Sequence, residues 1–164
     1  MAEVILRGRL AEVGVTASVA SVGTLGWSRS GATPHAVEAV HELGFDLGDH
    51  VSRRLGDEHL DVDLVLAMTR VHAGAVIARD KSIAPCVFLP GELARLLAAD
   101  ERTEETMTAR IRRLGGARGV GPLGRAGDEV PDPAGEALDV YRSTAARLDR
   151  DLTSLARRLA RYGS

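Results

Sequence analysis

The stretch with the clearest chemical potential is Pro131-Asp132-Pro133, a single carboxylate between two prolines. Proline fixes φ at about −65° and restricts the residue before it to extended geometry, so we expect a stiff backbone around Asp132. A polar, glycine-containing segment precedes this stretch, and a long helical pattern follows it. Two interpretations fit the pattern: a turn that starts the last helix, or a rigid loop that presents Asp132 as a general acid.

Other groups that commonly do chemistry are sparse in this sequence. Cys86 is the only cysteine, and its apolar surroundings favour a buried, unreactive thiol. A Cys-x5-Arg phosphate loop requires an arginine six positions later, which binds the phosphate bidentately, but that position is Glu92. The sequence therefore predicts no nucleophile. The five histidines form no zinc-binding pattern, and no Gly-x-Gly-x-x-Gly or Walker motif follows a strand, so we also expect no metal and no cofactor.

The composition is that of an ordinary globular protein. A length of 164 residues with 45% hydrophobic and 27% charged residues predicts one domain over 1–164. The net charge of −2 gives no reason to expect nucleic acid or an anionic membrane as a partner. No apolar run approaches the ~18 residues of a membrane span, no signal-peptide pattern is present, and a lone cysteine fits a reducing compartment. We therefore expect a cytoplasmic protein.

Hydrophobic periodicity predicts helices that alternate with short strands. The predicted strands are 15–22, 63–68 and 86–89, and the last two are almost continuously apolar, as in parallel strands covered on both faces. Thr33 and Thr69 are predicted N-caps. The predicted helices are 1–13, 35–43, 70–79, 92–99, 104–114 and 136–162, with a loop over 115–129. This order favours an α/β fold, a short parallel sheet with helices on both faces.

Several short motifs follow one another along the chain in a characteristic order. They are Met1-Ala2-Glu3, Ser21-Val22-Gly23-Thr24 with Gly26-Trp27, Pro34-His35-Ala36, Gly44-x-Asp46-Leu47 with His50 and Ser52-Arg53, Asp63-Leu64-Val65-Leu66-Ala67-Met68, and Val130-Pro131-Asp132-Pro133. Taken together, their order resembles that in the low-molecular-weight protein tyrosine phosphatases. The segment from Thr69 through the helix at Glu92 resembles an actinobacterial branch of that family. The resemblance implies a three-layer sandwich of the phosphotyrosine phosphatase I type.

The resemblance also implies roles for individual residues. Asp132 matches the general acid that protonates the leaving oxygen, a step that typically contributes ~10²–10⁴-fold to the rate. Trp27 matches the position of an aromatic wall of the substrate pocket. Ser21 and His50 match positions that brace the phosphate-binding loop. Without the family, the same residues would be interpreted as a strand-end turn for Ser21, a loop histidine for His50 and a partly buried anchor for Trp27.

Some features of the sequence depart from the family pattern. In the family, a strand and the Cys-x5-Arg loop come directly before the residues that match Met1-Ala2-Glu3. We therefore expect the first central strand to be missing from the sandwich, the natural product to be longer, and Met1 not to be its true start. Ala134 stands where members usually carry an aromatic residue, and the segment at about 98–128 is longer than the usual connection.

Three functions remain open at this point. The first is hydrolysis of a phosphorylated protein or small phosphomonoester through a phosphocysteine, for which the chain as written is expected to be catalytically inactive. The second is a non-catalytic pseudophosphatase that binds a partner. The third is arsenate reduction on the same fold. The sequence does not indicate an oligomeric state.

Overall fold

The computed structural model describes residues 1–25, 29–101, 104–118 and 123–161. Three short 3-10 helices, Asp57–His59, Lys81–Cys86 and Ala126–Asp128, lie between the longer elements. In chain order the longer elements are α1 (Ala2–Glu12), α2 (Pro34–His41), β1 (Val65–Leu66), α3 (Arg70–Arg79), β2 (Val87–Phe88), α4 (Pro90–Ala99), α5 (Met107–Gly116) and α6 (Leu138–Ala160).

The two strands form a short parallel sheet. Val65 pairs with Val87 and Leu66 with Phe88, and the N–H of Ala67 continues the ladder with a 2.8 Å hydrogen bond to the carbonyl oxygen of Phe88. Both β2 residues are completely buried, as expected for a parallel strand covered on both faces. The α/β fold with a short parallel sheet flanked by helices is therefore confirmed, as are strands within 63–68 and 86–89.

The predicted strand over 15–22 was wrong. The described residues of this segment form no ladder, and the nearest pairing is an isolated parallel bridge between Gly23 and Arg54. A strand requires a neighbouring strand to pair with its N–H and C=O groups, and no strand among the described residues pairs with this segment. The N–H of Val15 instead caps α1 by bonding to the carbonyl of Leu10, and Val22 is exposed.

Helix starts follow the predicted capping chemistry. The Thr33 side chain accepts a 3.3 Å hydrogen bond from the N–H of Ala36, with Pro34 as the first residue of α2. The Thr69 side chain accepts one of the same length from His72 at the start of α3. These bonds satisfy N–H groups that have no partner inside the helix. Both caps are confirmed, and the Thr69 cap, three residues after the end of β1, starts α3.

The last helix organises the core. It runs over Leu138–Ala160, slightly shorter than the predicted 136–162, and packs against α1, α2 and α4. Its packing is therefore against helices of its own chain, with the apolar spacing of three and four residues that such a face requires. The buried face consists of Tyr141, Ala145, Leu148, Leu152, Leu155 and Ala156.

The segment between α4 and α6 contains α5, which extends into the region predicted as loop. Gly115 and Gly116 are its last two residues. Gly115 is needed for packing, since an added Cβ would lie 1.9 Å from the carbonyl oxygen of Pro85. Asp100 lies 2.6 Å from buried Arg110 and ties the start of this segment to the helix. Within the described residues, no helix is both long and apolar enough to cross a membrane.

Candidate active site

Asp132 is presented at the surface by a backbone that is held in place on both sides. Its Oδ1 accepts a 3.0 Å hydrogen bond from the N–H of Ala134, a local contact typical of aspartate in turns. Pro133 is buried and Asp132 is exposed. Val130 is buried and donates its N–H to the carbonyl oxygen of Met68 at 2.7 Å. The carboxylate therefore has a fixed direction, and its Oδ2 makes no hydrogen bond with the described residues.

Arg70, the first residue of α3, fixes the described loop 123–132, which we call the Asp132 loop. Its guanidinium donates to two carbonyl oxygens of this loop, Leu123 at 2.7 Å and Gly124 at 3.2 Å. Its backbone N–H donates to Oε1 of Glu129 at 2.9 Å, a favourable place for a carboxylate because it is the N-terminus of a helix. The first residue of α3 thus contacts the loop both at its beginning and at Glu129.

Two further arginines reach the Asp132 loop from other helices. Arg95 of α4 lies 2.8 Å from Oδ2 of Asp128, which also accepts the N–H of Arg125 at 2.7 Å. Arg147 of α6 donates to the carbonyl oxygen of Gly127 at 2.6 Å. Since α3, α4 and α6 all contribute a contact, the loop is fixed relative to the body of the protein.

A second cluster of polar side chains surrounds Glu3 in the first turn of α1. Its Oε2 accepts a hydrogen bond from the hydroxyl of Ser21 and lies 3.8 Å from Nδ1 of His50. Arg7 pairs with Oε1 and also donates to the carbonyl oxygen of Val19 at 2.9 Å. The structure therefore brings Ser21 and His50 together through a carboxylate that they share.

The environment shifts the pKa of two groups in this cluster. Burial alone would raise the pKa of Glu3, but the hydrogen bonds from Ser21 and Arg7 and the charge of Arg7 hold it below its ordinary value. Burial lowers the pKa of His50, and the positive charges of the chain's first amino group and of Arg53 lower it further, although the Glu3 carboxylate acts in the opposite direction. Glu3 is therefore held as a carboxylate beside a histidine that favours its neutral form.

Ser21 and His50 lie apart from Asp132 in the hydrogen-bond network. Among the described residues, no hydrogen bond or ion pair joins Asp132 to either of them. A cavity of about 490 Å³ opens beside His50, with Arg7 and Arg53 in its lining. The candidate site thus consists of two separately fixed groups of side chains, and the structure does not join them directly.

Trp27 lies outside the described residues, so its predicted place beside the substrate remains a prediction. The chain on both sides of it is held against residues 52–55. Gly23 donates its N–H to Arg53 at 2.8 Å, and Arg29 donates its N–H to Ser52 at 3.0 Å. Arg29 also has a φ of 66°, which is uncommon for a residue other than glycine.

Cys86 ends the 3-10 helix before β2 and is completely buried. Glu92 is buried as well, and its carboxylate accepts N–H groups from Leu89 and Gly124 at 3.2 Å each. A carboxylate at that position has no means of binding a phosphate anion. Elsewhere in the described residues, no group of three His, Cys, Asp or Glu is arranged to hold a metal ion.

Sequence reasoning missed several contributors to the site. Glu3 was noticed only as part of a motif, although an acid four residues before Arg7 on a helix is a recognisable pairing signal. Arg95 and Arg147 gave no signal, because their contacts in the Asp132 loop are with residues far away in the chain. Arg70 lies two residues after the predicted strand 63–68, and its position there was the only available signal.

Comparison with known proteins is consistent with this architecture. The sequence model of the low molecular weight phosphotyrosine protein phosphatases matches residues 1–91. The protein-arginine-phosphatase of Bacillus subtilis (strain 168) is 30% identical over 160 residues, covering 97% of this chain and 87% of that protein.

Solved structures give the same result. A mutant of YwlE from Bacillus subtilis has a TM-score of 0.72 and 29% identity, over 96% of this chain and 87% of the other. A low molecular weight protein tyrosine phosphatase from T. tengcongensis has a TM-score of 0.69 and 26% identity, over 94% and 86%. The predicted family is confirmed: the chain belongs to the low molecular weight phosphotyrosine protein phosphatases.

Proposed function

We propose that the function of this protein is the removal of phosphate from phosphorylated protein side chains by hydrolysis, with Asp132 as the general acid. The observation that carries the proposal is the way Asp132 is held: an exposed carboxylate, one oxygen bound to Ala134 and the other without a partner among the described residues. A general acid requires a fixed position and an accessible oxygen. Ser21 and His50 are proposed to brace the phosphate-binding loop, and Trp27 to contact the substrate.

The proposed chemistry has two steps in the complete family form. A cysteine thiolate attacks phosphorus, the S–P bond forms, the bond to the leaving group breaks, and Asp132 gives its proton to the leaving atom. Water then attacks phosphorus, Asp132 accepts a proton from it, and the S–P bond breaks to release phosphate and thiolate. A solved structure of the YwlE arginine phosphatase, with serine in place of the cysteine, is described as carrying a phosphorylated active-site serine.

These 164 residues do not supply that thiolate. Cys86 is buried and is followed six positions later by Glu92, so its surroundings offer no binding for the phosphate anion. We therefore propose that this polypeptide alone does not turn over a phosphomonoester. The same observation favours a second candidate function, a non-catalytic protein that binds a phosphorylated partner. Arsenate reduction requires the same thiolate and would be separated from the first function by comparing arsenate with an aryl phosphate in a catalytically complete form.

Phosphoarginine is the first substrate class that we propose, and phosphotyrosine is the second. The 30% identity with a protein-arginine-phosphatase spans almost the whole chain. In addition, the residue after Asp132-Pro133 is the small, exposed Ala134. An aromatic side chain there would stack on a phosphotyrosine ring, whereas the aliphatic stem of phosphoarginine gains less from such a ring.

Assays of the purified polypeptide test this proposal. The 164-residue protein is incubated with p-nitrophenyl phosphate and with an arginine-phosphorylated protein, beside its Asp132→Ala variant. We expect no release of phosphate above buffer from either protein. Hydrolysis that Asp132→Ala abolishes would overturn the proposed incompleteness, and hydrolysis that Asp132→Ala leaves unchanged would overturn the role of Asp132.

A further inference from the structure

The C-terminal half of α6 carries a positively charged groove. The groove has a volume of about 480 Å³, and four of its lining residues are the arginines 150, 157, 158 and 161. All of its lining residues belong to the end of the chain, between Asp149 and Arg161. None of the residues discussed above as candidate site residues lines it.

The carboxylates nearby are already engaged by other arginines. Asp149 lies 2.7 Å from Nε of Arg9, and Asp151 lies 3.8 Å from Nε of Arg147. Arg157 and Arg161 are exposed, and neither forms an ion pair with any residue that the structure describes. The protein as a whole has a net charge of −2, so the groove is a local concentration of positive charge on a slightly acidic molecule.

Arg158 is the lining arginine that is most embedded in the protein. Its Nη1 reaches the carbonyl oxygen of Leu97 only at 3.5 Å. Its Nε is buried and has no hydrogen-bond partner among the described residues. A guanidinium that finds so few acceptors inside the protein favours an anion at its accessible edge, because its donors gain more from a charged acceptor than from a neutral one.

We propose that this groove docks an acidic segment of a protein, rich in aspartate and glutamate. Guanidinium groups bind carboxylates with two parallel hydrogen bonds, and the hydroxyls of Thr153 and Ser154 in the lining supply further donors. Among the described residues, the lining contains no aromatic side chain, although the bases of single-stranded nucleic acids are usually held by stacking on aromatic side chains. The groove therefore fits an acidic peptide better than a nucleic acid.

Fluorescence anisotropy tests the docking without any turnover, so its outcome is independent of the hydrolysis assay. The probe is a fluorescein-labelled twelve-residue peptide of alternating Asp and Glu, and its Asn/Gln counterpart is the neutral control. The double variant Arg157→Glu/Arg161→Glu is compared with Arg54→Glu/Arg112→Glu, two exposed arginines far from the groove in sequence. Thermal melts establish that both variants fold. If Arg157→Glu/Arg161→Glu does not fold, Arg157→Gln/Arg161→Gln is used in its place.

We expect the acidic peptide to bind at least about tenfold more tightly than the neutral one, and more weakly as salt is added. Arg157→Glu/Arg161→Glu should weaken binding about tenfold or more, and Arg54→Glu/Arg112→Glu less than about twofold. Equal losses in both double variants would overturn the proposal. Tighter binding of a single-stranded oligonucleotide of the same charge would overturn it as well, and would assign the groove to nucleic acid.

Discussion

The backbone N–H of Val130 donates a 2.7 Å hydrogen bond to the carbonyl oxygen of Met68. Met68 lies just past the C-terminal end of β1, so this bond brings the chain that leads to Asp132 to the carboxyl edge of the sheet. In open α/β sheets, ligands bind outside the carboxyl ends of the strands. The contact thus gives a structural reason why a loop distant in sequence from β1 can serve a site at its end.

The three-helix attachment of the Asp132 loop predicts an effect of removing Arg70. Arg70→Met removes the guanidinium bonds to Leu123 and Gly124 and the ion pair of the guanidinium with Glu129, and it leaves the backbone bond to Glu129. We expect the free energy of unfolding to fall by about 1–2 kcal/mol, because hydrogen bonds from a charged group are lost at a half-buried site. Hydrogen exchange should accelerate in residues 123–132 first. The matched control is Arg112→Met, and equal acceleration in that loop by both variants would contradict the account.

The lowered pKa of Glu3 predicts a pH-dependent contribution to stability. A carboxyl whose folded pKa lies below its ordinary value of 4.5 stabilises the protein fully above pH ~4.5 and loses that effect as the pH falls through the folded pKa. The stability advantage of the wild-type protein over Glu3→Gln should therefore be largest near neutral pH and shrink as the pH falls below the ordinary value of 4.5. Urea unfolding at several pH values measures it, and a difference that does not change with pH would refute the shift.

The ion pair between Arg118 and Glu92 predicts a large cost on truncation. Arg118 lies 3.3 Å from the buried Glu92 carboxylate, donates to the carbonyl oxygens of Val87 and Ala84, and stacks on Phe88 with its guanidinium carbon 4.1 Å from the ring centre. Arg118→Met leaves that carboxylate buried with neutral donors only, and should lower the free energy of unfolding by about 3–5 kcal/mol.

The control for this prediction is Arg142→Met, which removes the exposed pairs of Arg142 with Glu38 and Glu42. Exposed ion pairs contribute about 0–1 kcal/mol, so the expected change is small. Chemical denaturation of both variants gives the comparison. Similar losses in Arg118→Met and Arg142→Met would show that the buried pair is not as isolated from solvent as the structure indicates.

Two adjacent glycines in α5 predict opposite effects of the same substitution. A Cβ at Gly115 would lie 1.9 Å from the carbonyl oxygen of Pro85, whereas nothing lies within 4 Å of one at Gly116. Gly115→Ala must displace the backbone and should destabilise the protein by more than ~2 kcal/mol. Gly116→Ala should be neutral or stabilise it by up to ~1 kcal/mol, because alanine favours the helix. Thermal denaturation of the two variants decides, and equal shifts would contradict the packing of α5.

Local sequence patterns predicted two kinds of element: helices that are capped by a nearby side chain, and strands that are buried on both faces. Thr33 and Thr69 cap their helices through side-chain bonds three residues along, a distance that sequence alone specifies. The apolar runs around β1 and β2 were recognisable because both faces of a parallel strand are buried. The prediction of a strand over 15–22 was wrong because a strand depends on a neighbouring strand, which the composition of the segment itself does not reveal.

The site was predictable to a smaller extent. The stiffness around Asp132 follows from its two prolines, and the resemblance to the family singled out Ser21 and His50. The arginine contacts were not predictable, since Arg147 binds the carbonyl oxygen of Gly127 and every residue of a chain carries such an oxygen. Long side chains that bind backbone atoms leave no complementary residue in the sequence.

The most direct test of the central claim is to measure the contribution of Asp132 to hydrolysis once a nucleophile is supplied. In the YwlE structure with the substituted cysteine, the replaced residue lies near the beginning of that protein. A chimera is therefore made in which the initial segment of the Bacillus subtilis arginine phosphatase precedes this chain. Two substrates are compared, with and without Asp132→Asn: phenyl phosphate, whose phenol is a poor leaving group, and p-nitrophenyl phosphate, whose p-nitrophenol is a better one.

If Asp132 protonates the leaving group, Asp132→Asn lowers kcat/KM, which reports the steps up to release of the leaving group, by about 10²–10⁴-fold for phenyl phosphate and by less for p-nitrophenyl phosphate. If Asp132 only starts the last helix, the two kcat/KM values fall equally or remain unchanged, and the account is contradicted.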